Sequence, residues 1–351
     1  MTYTDLSRRS FLGLVGGAAA LTALTACGAG PADGPGAAGG AALPFQLGFL
    51  PDVGAGGYWL ADDRGFYRDA HLTPDFLAGG PNAPAPEVVL NSGKAMLANE
   101  SNTVRLFEYL SAHKDVVLIG TQYQGQPNGF LSLAKRPVRT PADLHGVRIL
   151  AGPKNRPNMN ALMKINKVTD FSFVPSGTDV GPLLQGEGDA LLAFADNAPI
   201  VLQQQGMTEG KDYVFTPFSD LNYHLLAGAI LVGRNYLEAN RAKVVDFMRA
   251  TARGFQAFIT EPDAAAELAV KKYGKTLGLK LDQQKAAARA QVPYLSSDLT
   301  RSNGLLTLDV EKIKTKVYPT MTASGIANLP ELGSVTDVSI LAEVFKGGPA
   351  L

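Results

Sequence analysis

The side chains best suited to chemistry in this sequence are polar and aromatic residues that directly follow short apolar runs. Asp52 opens a glycine-containing stretch, 52–59, that closes on Tyr58 and Trp59. A carboxylate there accepts hydrogen bonds, while Gly54 and Gly56 let a backbone approach a ligand closely. The helix start that follows favours anions or carbonyl oxygens. Tyr58 and Trp59 stack on a flat heterocycle if they face a cleft, and are plain core if they do not. Asn82 is a turn former or a hydrogen-bond donor. Asn99 and Ser101 suit either a polar wall or a helix cap. Tyr123 follows a buried strand and is placed to cover one face of a ligand. Asn155 and Arg156 follow another strand; Arg156 pairs with a carboxylate or sulfonate, or is an ordinary loop arginine. Asp196 and Asn197 accept a ring N–H or amino group, or cap the next helix. Tyr223 sits where the chain turns back toward its first half. These groups bind and orient a small molecule; none is an activated nucleophile.

Catalytic spacings are missing. The four histidines, His71, His113, His145 and His224, are scattered without metal-ligand spacing. There is no G-x-S-x-G elbow and no phosphate loop ending in Gly-Lys-Ser/Thr. The reading is therefore a binder with no cofactor and no metal, not an enzyme. Lys and Arg total 32 and so do Asp and Glu, which leaves no basic surplus to neutralise phosphates and excludes a nucleic-acid partner.

The one cysteine, Cys27, has its own chemistry. Leu24-Thr25-Ala26-Cys27 resembles a lipobox, in which the cysteine is lipidated and becomes the first residue. Upstream, Ser7-Arg8-Arg9-Ser10-Phe11-Leu12 resembles a twin-arginine export signal. The apolar run between them contains Gly13, Gly16 and Gly17 and is short for a membrane span. Residues 1–27 are thus expected to be an export signal, and 28–42 a Gly/Pro/Ala tether. The working part is expected outside the cytoplasm, lipid-anchored to the outer face of the cell membrane or periplasmic.

The elements that must position these residues read as α/β. Hydrophobic residues make up 46% and charged residues 18%, a globular balance. The chain beyond the signal is long enough for two lobes. Strands are expected at 45–50, 72–77, 95–98, 116–119, 130–134, 147–150, 171–174, 190–194 and 226–232. Helices are expected at 86–91, 103–112, 157–164, 180–185 and 199–205. Asn102 is a helix cap, and Thr140-Pro141-Ala142-Asp143 a helix start. Strand–helix alternation suggests parallel sheets. From 235 onward helices dominate, with candidates at 282–292, 310–317 and 338–345. The segment past Gly274 either packs on the first lobe or extends toward another protein.

The order of motifs resembles the NMT1/THI5-like group of ABC-importer substrate-binding proteins. The matching stretches are 58–67 (YWLADDRGFY), 78–82 (AGGPN), 91–98 (NSGKAMLA), 140–149 (TPADLHGVRI) and 188–190 (GDA). The helix 244–258, followed by 261–265 (EPDAA), completes the pattern. The resemblance implies a periplasmic-binding-protein type II fold, two α/β lobes joined by two crossing segments around a ligand cleft. Lobe I would be 43–123 with 225–351, and lobe II 124–224. It further implies a monomer that closes on a small molecule and hands it to an ABC permease. The ligand would be a thiamine-type pyrimidine or flavin-like heterocycle; the alternative is an alkanesulfonate, taurine or nitrate. Some relatives are pyrimidine-forming enzymes with a cysteine-rich motif, which this chain lacks.

Overall fold

Among the described residues, ten short strands build the fold. The computed structural model describes residues 41–80 and 82–351. The export signal, Cys27 and the tether through residue 40 lie outside the described residues. The strands are β1 (Ala41–Gln46), β2 (Leu72–Leu77), β3 (Leu97–Glu100), β4 (Val116–Tyr123) and β5 (Asn128–Leu133). They continue with β6 (Arg148–Ala151), β7 (Ser172–Pro175), β8 (Ala190–Phe194), β9 (Tyr213–Pro217) and β10 (Ala227–Gly233). They form two five-stranded sheets, ordered β2-β1-β3-β10-β4 and β7-β6-β8-β5-β9. Pro74 sits in β2, an edge strand, where its missing N–H costs no ladder bond.

Both sheets are mixed, which corrects the expectation of parallel ones. β10 lies between β3 and β4 and runs antiparallel to both. β5 lies between β8 and β9 and is likewise antiparallel to both. These are the strands by which the chain enters the second sheet and returns to the first. A chain that arrives from the neighbouring sheet runs against strands built by local crossovers. Local alternation of strand and helix carries no record of that. β1 starts at Ala41, inside the stretch expected to be tether, and ends before the expected 45–50 run is complete. β9 occupies a stretch, 213–217, for which no strand was expected.

Aromatic residues fill the core under the first sheet. Phe45, Tyr58, Trp59, Tyr67, Phe247 and Phe255 are all buried. The helix Gly56–Asp63 crosses the long helix Arg234–Thr260 at glycines. A Cβ on Gly57 would lie 2.4 Å from the Phe255 ring, and one on Gly254 only 2.1 Å from the Gly57 carbonyl. Under the second sheet Phe218 meets Phe130 and Tyr223 edge-on. Asn102 caps the helix Thr103–Ala112, accepting from Arg105 N–H at 3.1 Å. The Thr140 start produces a capping box, but the helix behind it is a single short turn, Pro141–Leu144.

The segment past Gly274 packs against the rest of the chain. Asp337 N–H donates to Leu118 O at 3.0 Å, and Thr121 N–H to Leu306 O at 2.9 Å. It also holds Gln124, the first residue after β4. Gln124 N–H donates to Tyr294 O at 2.7 Å, its Nε2 to Thr307 O at 3.0 Å, and its carbonyl accepts from Lys312 Nζ at 2.8 Å.

Candidate functional site

The site grows from strand ends in both sheets. After β1 the chain turns through Asp52, whose Oδ1 accepts from Gly54 N–H at 2.8 Å. The Asp52 carbonyl accepts from Trp59 Nε1 at 2.8 Å. Asp52 is therefore held at both its side chain and its backbone. Gln122, near the end of β4, donates from Nε2 to Gly54 O at 2.6 Å, and Asn99 Nδ2 donates to Gln122 Oε1 at 3.3 Å. These bonds tie β3, β4 and the 52–55 turn into one polar floor. Asn99 and Gln122 are both buried.

Asp196 comes from the other sheet, in the turn after β8. Gln291, the last residue of the helix Leu281–Gln291, donates from Nε2 to Asp196 Oδ2 at 2.8 Å. The Tyr123 hydroxyl, at the end of β4, donates to Gln291 Oε1 at 2.8 Å. Tyr123, Gln291 and Asp196 thus form one continuous hydrogen-bonded chain between the sheets. Ile200, from the helix Ala198–Gln204, shares a buried cluster with Ala287 and Ala288 of the Gln291 helix. Apolar packing backs the polar bridge.

Electrostatics mark this cluster. Burial pushes the Asp52 carboxyl up to about 6; the Gly54 N–H opposes this and the charge of Asp196 adds to it. Burial also raises Asp196, against the hydrogen bond from Gln291. Tyr123 is held well above the usual phenol range by burial, then by Asp196 and Asp52. The charge of Asp196 thus acts on Asp52, and both carboxylates act on Tyr123. Two neighbouring half-buried carboxylates favour a ligand that brings hydrogen-bond donors or positive charge.

The structure brings together Asp52, Asn99, Tyr123 and Asp196. It places other expected site residues elsewhere. Trp59 is fully buried with its ring 3.9 Å from that of Tyr273, stacked at 10°, so one face is covered. Tyr58 is buried between Phe45 and Phe255. Both are core, because the Gly56–Asp63 helix turns this side against the long helix. Tyr223 is core of the second sheet rather than a cleft residue. Ser101 is exposed, close to the loop at Gly48. Asn82 is exposed on its turn, and Asn197 is exposed at a helix start without capping it. Asn155 is half-buried; Arg156 is exposed, its guanidinium 4.2 Å from the Phe173 ring centre. Among the described residues no side-chain hydrogen bond joins Asn82, Asn155, Arg156 or Asn197 to the cluster. Also among them, no group of three or more His, Cys, Asp or Glu could hold a metal.

Sequence reasoning missed Gln122 and Gln291. Gln122 stands beside Tyr123, just past the strand expected at 116–119, and the observed strand runs on through both. Gln291 lay on an expected helix, but nothing in its type or neighbours connects it with Asp196, 95 positions away.

The family model described as NMT1/THI5 like matches residues 54–265. The chain belongs to the NMT1/THI5-like family. Its fold is the type II periplasmic binding protein fold, with two mixed α/β lobes. Riboflavin-binding protein RibY of Chloroflexus aurantiacus is 22% identical over 302 residues, 82% of each chain. The aliphatic sulphonate binding protein SsuA of Escherichia coli superposes with a TM-score of 0.60 at 16% identity, covering 85% of this chain and 91% of SsuA. The desulfurization enzyme DSZB superposes with a TM-score of 0.54 at 16% identity, covering 86% of this chain and 98% of DSZB. Gln291 lies beyond the last residue of the family match.

Proposed function

We propose that this protein is the solute-binding component of an ABC import system, exported and lipid-anchored through Cys27, and that its solute is a flavin- or pyrimidine-type heterocycle. The lobes are 43–123 with 225–351, and 124–224, and the solute sits between Asp52 and Asp196. The observation that carries the reading is a pair of half-buried carboxylates, one in the turn after β1 and one in the turn after β8, with Tyr123 linked to the second through Gln291. They suit ring N–H and amino groups or ribityl-type hydroxyls. A sulfonate or nitrate would face acceptors with acceptors, and Arg156 is engaged on Phe173 instead. Aromatic surface for a flat ring comes from Phe49 and Phe194, which are 52% and 46% exposed and lie close in sequence to Asp52 and Asp196. They replace Tyr58 and Trp59 in that role.

The test is a thermal-shift panel on the purified protein with riboflavin, an aminopyrimidine thiamine precursor, taurine, alkanesulfonates and nitrate. A ligand at a hundred times its Kd adds about 2.7 kcal/mol of stability. Riboflavin or the aminopyrimidine should raise Tm, and Asp196→Asn should diminish that rise. Stabilisation by sulfonates or nitrate alone would overturn the ligand class.

A further inference from the structure

Gln291 already does to Asp196 and Tyr123 what a solute would have to do. Its side chain is only 1% exposed, and both of its hydrogen bonds are 2.8 Å long. The donor and acceptor sit on one carbon, in one plane. We infer that Gln291 is a built-in stand-in for the solute's recognition edge: the solute displaces its carboxamide and presents the same pair, an N–H to Asp196 and an acceptor to Tyr123. This rests on the cleft reading above and narrows it to molecules with a planar edge bearing N–H and an acceptor on the same carbon. A cyclic amide or imide has such an edge, and so does an aminopyrimidine.

Two further observations support the exchange. The helix that carries Gln291 is fixed independently of its side chain. Arg289 pairs with Asp263 at 2.8 and 2.6 Å, and Ala287 and Ala288 are buried in the core. The backbone at Gln291 is therefore held without help from its carboxamide, so exchanging the carboxamide for a solute need not unseat the helix. Secondly, Asp196 and Tyr123 are half-buried, so a displaced partner has to be replaced by one that satisfies both. A solute with acceptors only leaves the carboxylate unpaired. A solute whose ring nitrogen is methylated keeps the shape and loses the donor.

The experiment is isothermal titration of riboflavin and of N3-methylriboflavin into the wild-type protein and into Gln291→Ala. The inference expects riboflavin to bind Gln291→Ala at least as tightly as the wild type, because the internal competitor is gone. It expects N3-methylation to weaken binding by about tenfold or more, the scale of one hydrogen bond to a charged group. The methylation arm uses the wild-type protein and stands even if the variant folds poorly. Tenfold weaker riboflavin binding by a folded Gln291→Ala would make Gln291 a permanent ligand contact and overturn the inference. Indifference to N3-methylation would overturn it too. In both cases the heterocycle reading survives, since riboflavin still binds. Binding of taurine or nitrate with no response to riboflavin, even in Gln291→Ala, overturns both.

Discussion

Asp52→Asn should stabilise the protein at neutral pH, and the gain should vanish in acid. Asp52 ionises near pH 6 in the folded protein against an ordinary value of 3.8, chiefly because it is buried. A carboxyl whose folded value is raised is favoured in its protonated form. Its contribution is fully present below about pH 4 and is lost as pH rises through 6. The gap corresponds to about 3 kcal/mol at about 1.4 kcal/mol per tenfold. Asparagine removes the charge and keeps an oxygen that can accept from Gly54 N–H. The opposing pull of the Gly54 hydrogen bond on the charged form is already contained in that gap. The expected gain is therefore about 3 kcal/mol above pH 7. Urea unfolding of both proteins at each unit from pH 4 to pH 8 would measure it. Taking the difference between the two cancels the titration of every other carboxylate. A variant less stable than the wild type at pH 7.5, or a difference that does not change with pH, would refute the claim that burial and Asp196 hold this carboxyl high. The stability given up at neutral pH is what a site poised for an N–H or cationic partner is expected to cost.

Other outcomes follow from the packing. Trp59→Ala should cost about 3–5 kcal/mol in urea unfolding, as a buried ring stacked on Tyr273 demands; loss of ligand affinity with unchanged stability would return Trp59 to the cleft. Gly254→Ala should cost about 1–3 kcal/mol, since its Cβ would meet the Gly57 carbonyl and force the two helices apart. Asn102→Ala should cost about 1 kcal/mol through the lost cap on Thr103–Ala112, with no change in ligand binding.

The sequence by itself determined the local elements and which polar residues stand at strand ends. The helices Pro86–Asn91 and Thr103–Ala112 were legible because proline, an asparagine cap and apolar spacing act within a few residues. The same holds for β2 and β8, which stand where their apolar runs do. Asp52, Asn99, Tyr123 and Asp196 were legible as polar residues at strand ends, because open α/β sheets leave those ends free for ligands. Cys27 and the paired arginines were legible as motifs alone.

Tertiary structure decided the rest. Whether Tyr58 and Trp59 face a ligand or a helix depends on where Arg234–Thr260 lies, and that helix begins 175 positions after Trp59. The direction of β5 and β10 depends on which sheet the chain has just left. Gln291 meets Asp196 only because a late helix folds back between the two sheets. Short-range forces set turns, caps and strands, and these are written in neighbouring residues. Pairing across a hundred positions is set by which buried surfaces and polar groups the whole chain can satisfy at once, and no local pattern records it.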